Sequence, residues 1–216
     1  MPKLQLALDN KDMLKSLKVV QRTADAVDVI EVGTILAIEN GMEITRIFKN
    51  LYPTHTLLAD IRIIKAGGKL AELAFDSGAD WVTVISSASN STIASVMKEA
   101  NKRMNKEVQI EINNSFTKEQ MFYWKQMGIK QVVYHRSDEV LKKENSWSKI
   151  DFNNLEILQK EGFSISVTGG LDIEDIQKFK EFDIYCFIIG RNIANAKDPL
   201  KVAKEYKKEI MEVFQK

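Results

Sequence analysis

The chain has 216 residues, and its 31 Lys and Arg residues nearly balance its 30 Asp and Glu residues. This balance gives no electrostatic reason to expect nucleic acid or an anionic membrane as partner, and it favours a small-molecule ligand. The N-terminus lacks the apolar stretch of a signal peptide, and no apolar run approaches the roughly 18 residues of a membrane span. We therefore expect a cytoplasmic protein whose single domain covers residues 1–216.

Eight apolar runs of strand length alternate with segments of helical periodicity along the chain. Their spacing of roughly 20 to 35 residues fits a strand followed by a crossover helix. Several runs are apolar on both faces, as expected for parallel strands that helices cover. The pattern predicts a (β/α)₈ TIM barrel. The predicted strands are residues 4–8, 27–32, 56–61, 81–85, 108–112, 131–134, 164–167 and 184–189.

The intervening segments carry apolar residues at helical spacing. Residues 70–77 and 117–127 show this pattern, and Gly78 and Gly128 follow them where a left-handed residue would end a helix. Residues 199–216 keep an apolar residue at every fourth position from 202 to 214, which predicts a last barrel helix with a solvated outer face.

Two other features have both a structural and a functional interpretation. The polar stretch 137–153 is either a mobile loop over the pocket mouth or an ordinary irregular surface loop. Cys186 lies in the apolar run YCFII and has no visible base beside it, so we expect a buried core residue.

Five ionisable side chains lie at or next to the C-terminal ends of predicted strands. In a barrel of this kind, the loops at that end build the active site. One of the acids is flanked by apolar residues inside its strand, where an unpaired carboxylate would be costly, so a metal or another cation is expected beside it. The five residues are Asp9, Glu31, Asp60, Glu111 and His135, and the acid inside its strand is Glu31.

Three of these residues also have a simpler explanation. Asp9 could be only a helix N-cap, because short polar side chains are favoured there. Glu111 could form a buried ion pair in the barrel interior, and His135 could be a hydrogen-bonded structural histidine.

Two further strands end in groups suited to phosphate binding. Gly169 and Gly170 follow Thr168 and can expose backbone N–H groups, while Gly190 and Arg191 add donors and a positive charge at the next strand. Barrels of this class often bind phosphate after strands seven and eight. The alternative is a tight turn and a surface charge. No G-x-G-x-x-G or P-loop string follows any strand, so no nucleotide cofactor is expected.

Seven segments, in their order and spacing, resemble the 3-keto-L-gulonate 6-phosphate decarboxylase family of the orotidine monophosphate decarboxylase superfamily. Hexulose-6-phosphate synthases, the neighbouring family, typically have aspartate at the position of Glu111 and lack the string from Tyr134 to Ser137. The resemblance extends from about Leu4 to the C-terminal helix. Its segments are IEVGTIL (30–36), LADIRI (58–63), ADWVTVI (79–85), QIEI (109–112), VVYHRS (132–137), VTGGL (167–171) and FIIGR (187–191).

The resemblance implies decarboxylation of 3-keto-L-gulonate 6-phosphate to L-xylulose 5-phosphate and CO₂ in L-ascorbate catabolism, by a homodimer with a shared active site. Loss of CO₂ leaves an enediolate, whose charge a Mg²⁺ ion can stabilise. The resemblance places this ion on Glu31 and Asp60 and a substrate hydroxyl on Asp9. Glu111 matches a further polar contact to the substrate, and His135 matches a group that delivers a proton through water.

The chain departs from the superfamily signature Asp-x-Lys-x-x-Asp, because the corresponding residues are Asp60, Arg62 and Lys65. The family's arginine three residues after the histidine is Asp138 here. One hypothesis is that Lys65 and Asp138 preserve a cation and a carboxylate with exchanged positions, while Arg62 supports the enediolate. The alternatives are an aldol reaction of the hexulose-6-phosphate synthase type on a ketose phosphate, or a catalytically impaired sugar-phosphate-binding protein.

Overall fold

The computed structural model of the chain describes residues 1–113, 115–136 and 147–215. Within these residues, eight strands pair in parallel and in sequence order, and the last pairs with the first to close a barrel. The predicted (β/α)₈ barrel is confirmed. The strands are β1 Lys3–Leu8, β2 Val29–Val32, β3 Thr56–Ile63, β4 Trp81–Ile85, β5 Glu107–Asn113, β6 Gln131–His135, β7 Ser164–Thr168 and β8 Ile184–Ile189.

Helices connect the strands on the outside of the barrel. Between β7 and β8 the described connection is a 3₁₀ helix, Ile173–Phe179, instead of an α-helix. No described helix is both long enough and apolar enough to cross a membrane. The described α-helices are α1 Met13–Thr23, α2 Thr34–Asn40, α3 Glu43–Leu51, α4 Gly67–Asp76, α5 Asn90–Asn101, α6 Lys118–Gln126, α7 Lys149–Lys160, α8 Arg191–Ala194 and α9 Pro199–Phe214.

The main core lies between the strands and the helices. Trp124 of α6 and Tyr206 of α9 are among its largest fully buried side chains. Gly78 and Gly128 have φ angles of 98° and 86° just beyond α4 and α6, which confirms their predicted role at helix ends. The helices therefore pack around the outer face of the barrel, and a site can form where the strands end.

The barrel interior is more polar than we expected from runs that looked apolar on both faces. Gln5, Gln109, Gln131 and Ser166 are all buried. Gln109 Nε2 donates to Gln131 Oε1 at 2.7 Å, so part of the cost of burying amides is offset. Cys186 is fully buried, as predicted, and burial raises the pKa of its thiol.

The prediction of a loop over 137–153 is wrong for its last part, because α7 begins at Lys149. Ser148 caps this helix: its hydroxyl accepts from Asp151 N at 3.3 Å, and Asp151 Oδ2 accepts from Ser148 N at 2.7 Å. This Ser-x-x-Asp capping box was visible in the sequence. Trp147 just before it is buried against Phe179, with ring centroids 4.8 Å apart. Residues 137–146 lie outside the described residues.

Candidate active site

Four of the predicted site residues form one connected cluster at the C-terminal end of the barrel. Arg62 Nε lies 3.3 Å from Asp60 Oδ2 and 3.1 Å from Glu111 Oε2. Glu111 Oε1 is 2.8 Å from His135 Nδ1. Side chains from β3, β5 and β6 therefore meet as the sequence predicts, with Arg62 between the two carboxylates.

Arg62 occupies an unusual backbone conformation. Its φ is +44°, which is uncommon for a residue with a side chain and occurs here inside a strand. The β3–β4 register shifts at this point, because Ala59 pairs with Val82 whereas Ile63 pairs with Val84. Extra backbone in β3 is thus taken up as a bulge, a feature often found beside active sites. The bulge brings Arg62 to Asp60 and Glu111.

Two threonines hold the Asp60 carboxylate from neighbouring elements. Thr83 Oγ1 donates to Asp60 Oδ1 at 2.7 Å, and Thr34 Oγ1 lies 3.0 Å from Asp60 Oδ2. Burial and the charge of Glu111 raise the pKa of Asp60, while the charge of Arg62 and the threonine hydrogen bonds oppose this rise. The sequence pattern had assigned no role to Thr34 or Thr83, although inward alternation along β4 pointed to Thr83.

Glu31 is buried in β2, with 8% of its surface exposed. Gln5 Nε2 donates to its Oε2, and among the described residues no Lys, Arg or His forms an ion pair with it. Burial, together with the charges of Asp60, Glu111 and Asp9, raises the pKa of Glu31 well above its ordinary value. The carboxylate therefore lacks the cation that its ionised form needs.

Glu111 has the opposite electrostatic character. Although its burial opposes ionisation, the hydrogen bond from His135 and the charge of Arg62 hold the pKa of Glu111 below its ordinary value. An ionised carboxylate only accepts, so Nδ1 of His135 is the donor and Nε2 remains for chemistry. Glu111 thus forms the buried ion pair and His135 the hydrogen bond that their simpler explanations describe. These two contacts orient the imidazole.

Asp9 follows β1 and is exposed. Its Oδ1 accepts from Ile35 N at 2.9 Å, at the start of α2, whereas the N-cap of α1 is Asp12. Asp9 therefore does not cap the helix that follows it. It lies beside Gly33, where a Cβ would come within 2.7 Å of Leu8 O, so glycine permits the close approach of β1 and β2.

The predicted phosphate-binding segments are adjacent, because β7 pairs with β8. Gly169 and Gly170 have φ angles of 108° and 63°, as a turn made of glycines allows. Thr168 Oγ1 donates to Ile188 O at 3.2 Å. Gly190 precedes the short helix α8, and Arg191 begins it with an exposed side chain.

A hydrogen-bonded support fixes this turn from behind. Asn192 Nδ2 donates to Leu171 O at 3.0 Å, and the Tyr206 hydroxyl donates to the same carbonyl at 2.8 Å. The turn after β7 is thereby joined to α8 and α9. Both the tight-turn and the surface-charge interpretations describe the local geometry, and neither conflicts with phosphate binding.

The remaining predicted residues lie outside the cluster or outside the described chain. Lys65 is exposed and forms no hydrogen bond or ion pair with any described residue. Asp138 falls among residues 137–146, which are not described. The proposed exchange of charge between Lys65 and Asp138 therefore stays a prediction.

The carboxylates at this end of the barrel are hard oxygen donors, the kind that a divalent cation such as Mg²⁺ prefers. Among the described residues, no group of three or more His, Cys, Asp or Glu side chains is arranged to hold a metal. Mg²⁺ usually keeps several waters and binds through one or two carboxylates together with its substrate. The two buried carboxylates of Glu31 and Asp60, the first without a cation partner, fit that requirement.

The model of the orotidine 5'-phosphate decarboxylase / HUMPS family matches residues 2–206. The 3-keto-L-gulonate-6-phosphate decarboxylase of Escherichia fergusonii is 41% identical over 214 residues, covering 99% of each chain. A crystal structure of KGPDC from Streptococcus mutans, determined as a complex, is 33% identical and superimposes with a TM-score of 0.96 over 99% of both chains. The 3-hexulose-6-phosphate synthase of Salmonella typhimurium is 26% identical with a TM-score of 0.89, covering 98% of this chain and 99% of that one.

Proposed function

The chain belongs to the orotidine 5'-phosphate decarboxylase / HUMPS family, and on that basis we propose that it is a carboxy-lyase acting on 3-keto-L-gulonate 6-phosphate. The products would be L-xylulose 5-phosphate and CO₂, in L-ascorbate catabolism. The observation that carries the proposal is the cluster in which Arg62 lies between Asp60 and Glu111, with His135 on Glu111. It places a fixed cation and an oriented imidazole at the end of a barrel whose relatives include such decarboxylases.

The phosphate group would bind at the turn after β7. Gly169 and Gly170 have no side chain of their own beside their N–H groups, and Arg191 supplies a charge at the start of α8. The supports from Asn192 and Tyr206 keep this turn in place before the substrate arrives. Binding energy gained there can orient the distant reacting end of the sugar.

At the reacting end, Arg62 would stabilise the negative charge that develops on the enediolate oxygens. A guanidinium is planar and always charged, and its terminal nitrogens can meet two oxygens at once. Its Nε already lies within ion-pair distance of Asp60 and Glu111, which holds the positive charge at this point of the site. Arginine can therefore replace the signature lysine in charge, with a different geometry of contact.

His135 would return a proton to the enediolate carbon, directly or through a water molecule. Glu111 holds Nδ1, so Nε2 is the atom that carries the mobile proton. Asp9, fixed on Ile35 N through Oδ1, would use its other oxygen to accept from a substrate hydroxyl.

We propose Mg²⁺ as the cofactor, held by Glu31 and Asp60. Bound there, the ion would act as a Lewis acid toward the enediolate oxygens. The support is the buried Glu31 carboxylate, which has no cation partner among the described residues, and the hard oxygen donors.

We further propose a homodimer in which Lys65 acts toward a second copy. Its side chain is exposed and close in sequence to Arg62, and it has no partner among the described residues of its own chain. A monomer that retains full activity at all concentrations would contradict this arrangement.

The direct test is CO₂ release from 3-keto-L-gulonate 6-phosphate by purified protein, with Mg²⁺ and then with a chelator. Metal-dependent release is expected, and Glu31→Ala and Asp60→Ala should abolish it while the protein remains folded. Comparison of CO₂ release by an Arg62→Lys variant and by the parent shows whether arginine can replace the signature lysine in the reaction. Release that is unchanged by the chelator would refute the metal, and no release would refute the decarboxylase.

The structural similarity to a 3-hexulose-6-phosphate synthase supports one alternative, an aldol reaction on a ketose phosphate. The same protein should therefore be given formaldehyde and ribulose 5-phosphate. Condensation without CO₂ release from the keto acid would assign the chain to the synthase reaction. Thermal stabilisation by sugar phosphates with neither activity would indicate a binding role.

A further inference from the structure

Thr83 lies between the two residues of β3 that carry the proposed chemistry, and the proposed reaction gives it no role of its own. We propose that Thr83 is a positioning residue whose hydroxyl sets Asp60 and the Arg62 bulge in one fixed relation. This inference rests on the proposed function, because its consequence is measured on that reaction.

The β3–β4 register shows why a side chain is needed here. Between the pairs Ala59–Val82 and Ile63–Val84, β3 has three intervening residues where β4 has only Thr83. The backbone of one residue cannot pair with three. The N–H of Arg62 donates instead to Thr83 Oγ1 at 2.9 Å, so a side-chain oxygen takes the place of a ladder carbonyl.

The same hydroxyl has a second partner that fixes its direction. Thr83 Oγ1 donates its single hydrogen to Asp60 Oδ1 at 2.7 Å, while a lone pair accepts from Arg62 N. Thr83 has only 3% of its surface exposed, so water cannot easily replace either bond. The position of the carboxylate and the positive φ of Arg62 are thus coupled through one atom.

Thr34 provides a natural comparison at the same carboxylate. Its hydroxyl is near Asp60 Oδ2 at 3.0 Å and Asp60 O at 2.8 Å, and it has no hydrogen bond with Arg62. Loss of the Thr34 hydroxyl should affect Asp60 alone. Loss of the Thr83 hydroxyl should release Asp60 and also leave the bulge N–H of Arg62 without its acceptor.

The test compares Thr83→Val with Thr83→Ser and Thr34→Val in the metal-loaded enzyme. Valine keeps the shape of threonine without the hydroxyl, so we expect Thr83→Val to lower kcat roughly 10- to 100-fold, the range for residues that orient metal ligands. KM should change less, because the proposed phosphate site at Gly169 and Gly170 is untouched. Thr83→Ser should restore kcat to within about threefold of the parent, and Thr34→Val should lose less than Thr83→Val.

Two controls separate positioning from general destabilisation. Thr23 is fully buried in α1, and its hydroxyl donates to Val19 O at 2.8 Å, so Thr23→Val removes a comparable bond away from the site. It should lower Tm without lowering kcat. Thr83→Val should also cost less in an Arg62→Ala background than in the parent, because part of its effect acts through Arg62.

The inference is overturned if Thr83→Val keeps kcat within threefold of the parent, if serine does not restore it, or if the Thr83 and Arg62 effects simply multiply. Failure of the proposed function gives a different result, because the parent itself would then release no CO₂. That outcome would remove the catalytic role of Thr83 together with the decarboxylase.

Discussion

Replacement of Gly169 by alanine is the sharpest perturbation that the structure offers of the turn at Gly169 and Gly170, which we propose binds the phosphate group. A Cβ built on Gly169 would lie 2.4 Å from the carbonyl oxygen of Arg136 and 2.7 Å from its Cβ. The oxygen contact is about 1 Å closer than the 3.4 Å at which ordinary van der Waals contact begins. The φ of 108° is also one that a residue with a side chain rarely adopts.

Backbone strain and the contact with Arg136 both lower the stability of the Gly169→Ala protein. A strained backbone conformation of this kind costs about 1 to 3 kcal/mol, and the contact with Arg136 adds to it because the neighbouring atoms belong mainly to backbone. A total of about 3 kcal/mol corresponds to a Tm lower by roughly 6 to 12 °C for a chain of this size. To relieve the contact, the turn must move by about 1 Å away from the end of β6.

That movement should also weaken phosphate binding. The loss of one charge-assisted hydrogen bond costs about 1.5 to 3 kcal/mol, so KM for the phosphorylated substrate should rise roughly 10- to 100-fold. Steady-state kinetics and thermal melts measure the two effects on the same protein.

Gly162 supplies a matched control at the end of α7. It has φ of +82°, and a Cβ there would meet nothing within 4 Å, so Gly162→Ala carries the backbone strain without the steric contact. We expect a smaller loss of Tm and an unchanged KM. Equal effects of the two substitutions on Tm and KM would refute the assignment of the turn to phosphate binding.

Three further predictions concern charged groups. Burial and Asp60 raise the pKa of Glu31, so the folded chain holds a proton that the unfolded chain releases, and stability falls as pH rises above about 4.5. In chelator, Glu31→Gln should therefore melt above the parent at pH 8, by about 2 to 4 °C for each kcal/mol relieved, with the difference vanishing near pH 4. Although burial opposes it, hydrogen bonds from Lys49 and Lys106 lower the pKa of Asp80, so its contribution is present at neutral pH and lost as pH falls below about 3.8. Asp80→Asn should lower the free energy of unfolding at pH 7 by about 2 kcal/mol or more, and Tm with it. The Tm values of variant and parent should converge in acid, and kcat should be unchanged. Arg191→Ala should raise KM for the phosphorylated substrate with little change in kcat; a fall in kcat alone would contradict its role in phosphate binding.

The sequence was sufficient to predict the barrel because its signals are local and repeated. Eight apolar runs at regular spacing determine the strand count, and glycines such as Gly78 and Gly128 mark helix ends that depend only on backbone conformation. Strand-end residues were found for the same reason, since β-strand alternation and a shared barrel end bring Asp60, Glu111 and His135 together.

Other features depended on contacts that no local pattern contains. The bulge at Arg62 arises from a mismatch between two strands, and a hydroxyl on the neighbouring strand stabilises it. Asp9 had a helix N-cap as its alternative explanation, yet its Oδ1 accepts from Ile35 N in α2 and not from the helix that follows Asp9. The capping box at Ser148 was a local signal that was overlooked because the surrounding residues are highly charged.

The charges of the site explain why its parts are arranged as they are. Asp9, Glu31, Asp60 and Glu111 act on one another electrostatically, and among the described residues Arg62 is the only lysine or arginine that pairs with any of them. Such a site repels an anionic sugar phosphate unless further positive charge is present. The proposed Mg²⁺ at Glu31 would supply it at the reacting end, and Arg191 would supply it at the phosphate end. The replacement of lysine by arginine in the signature then has a physical consequence: Nε of one guanidinium lies within ion-pair distance of both Asp60 and Glu111, and the two terminal nitrogens would remain for the proposed substrate.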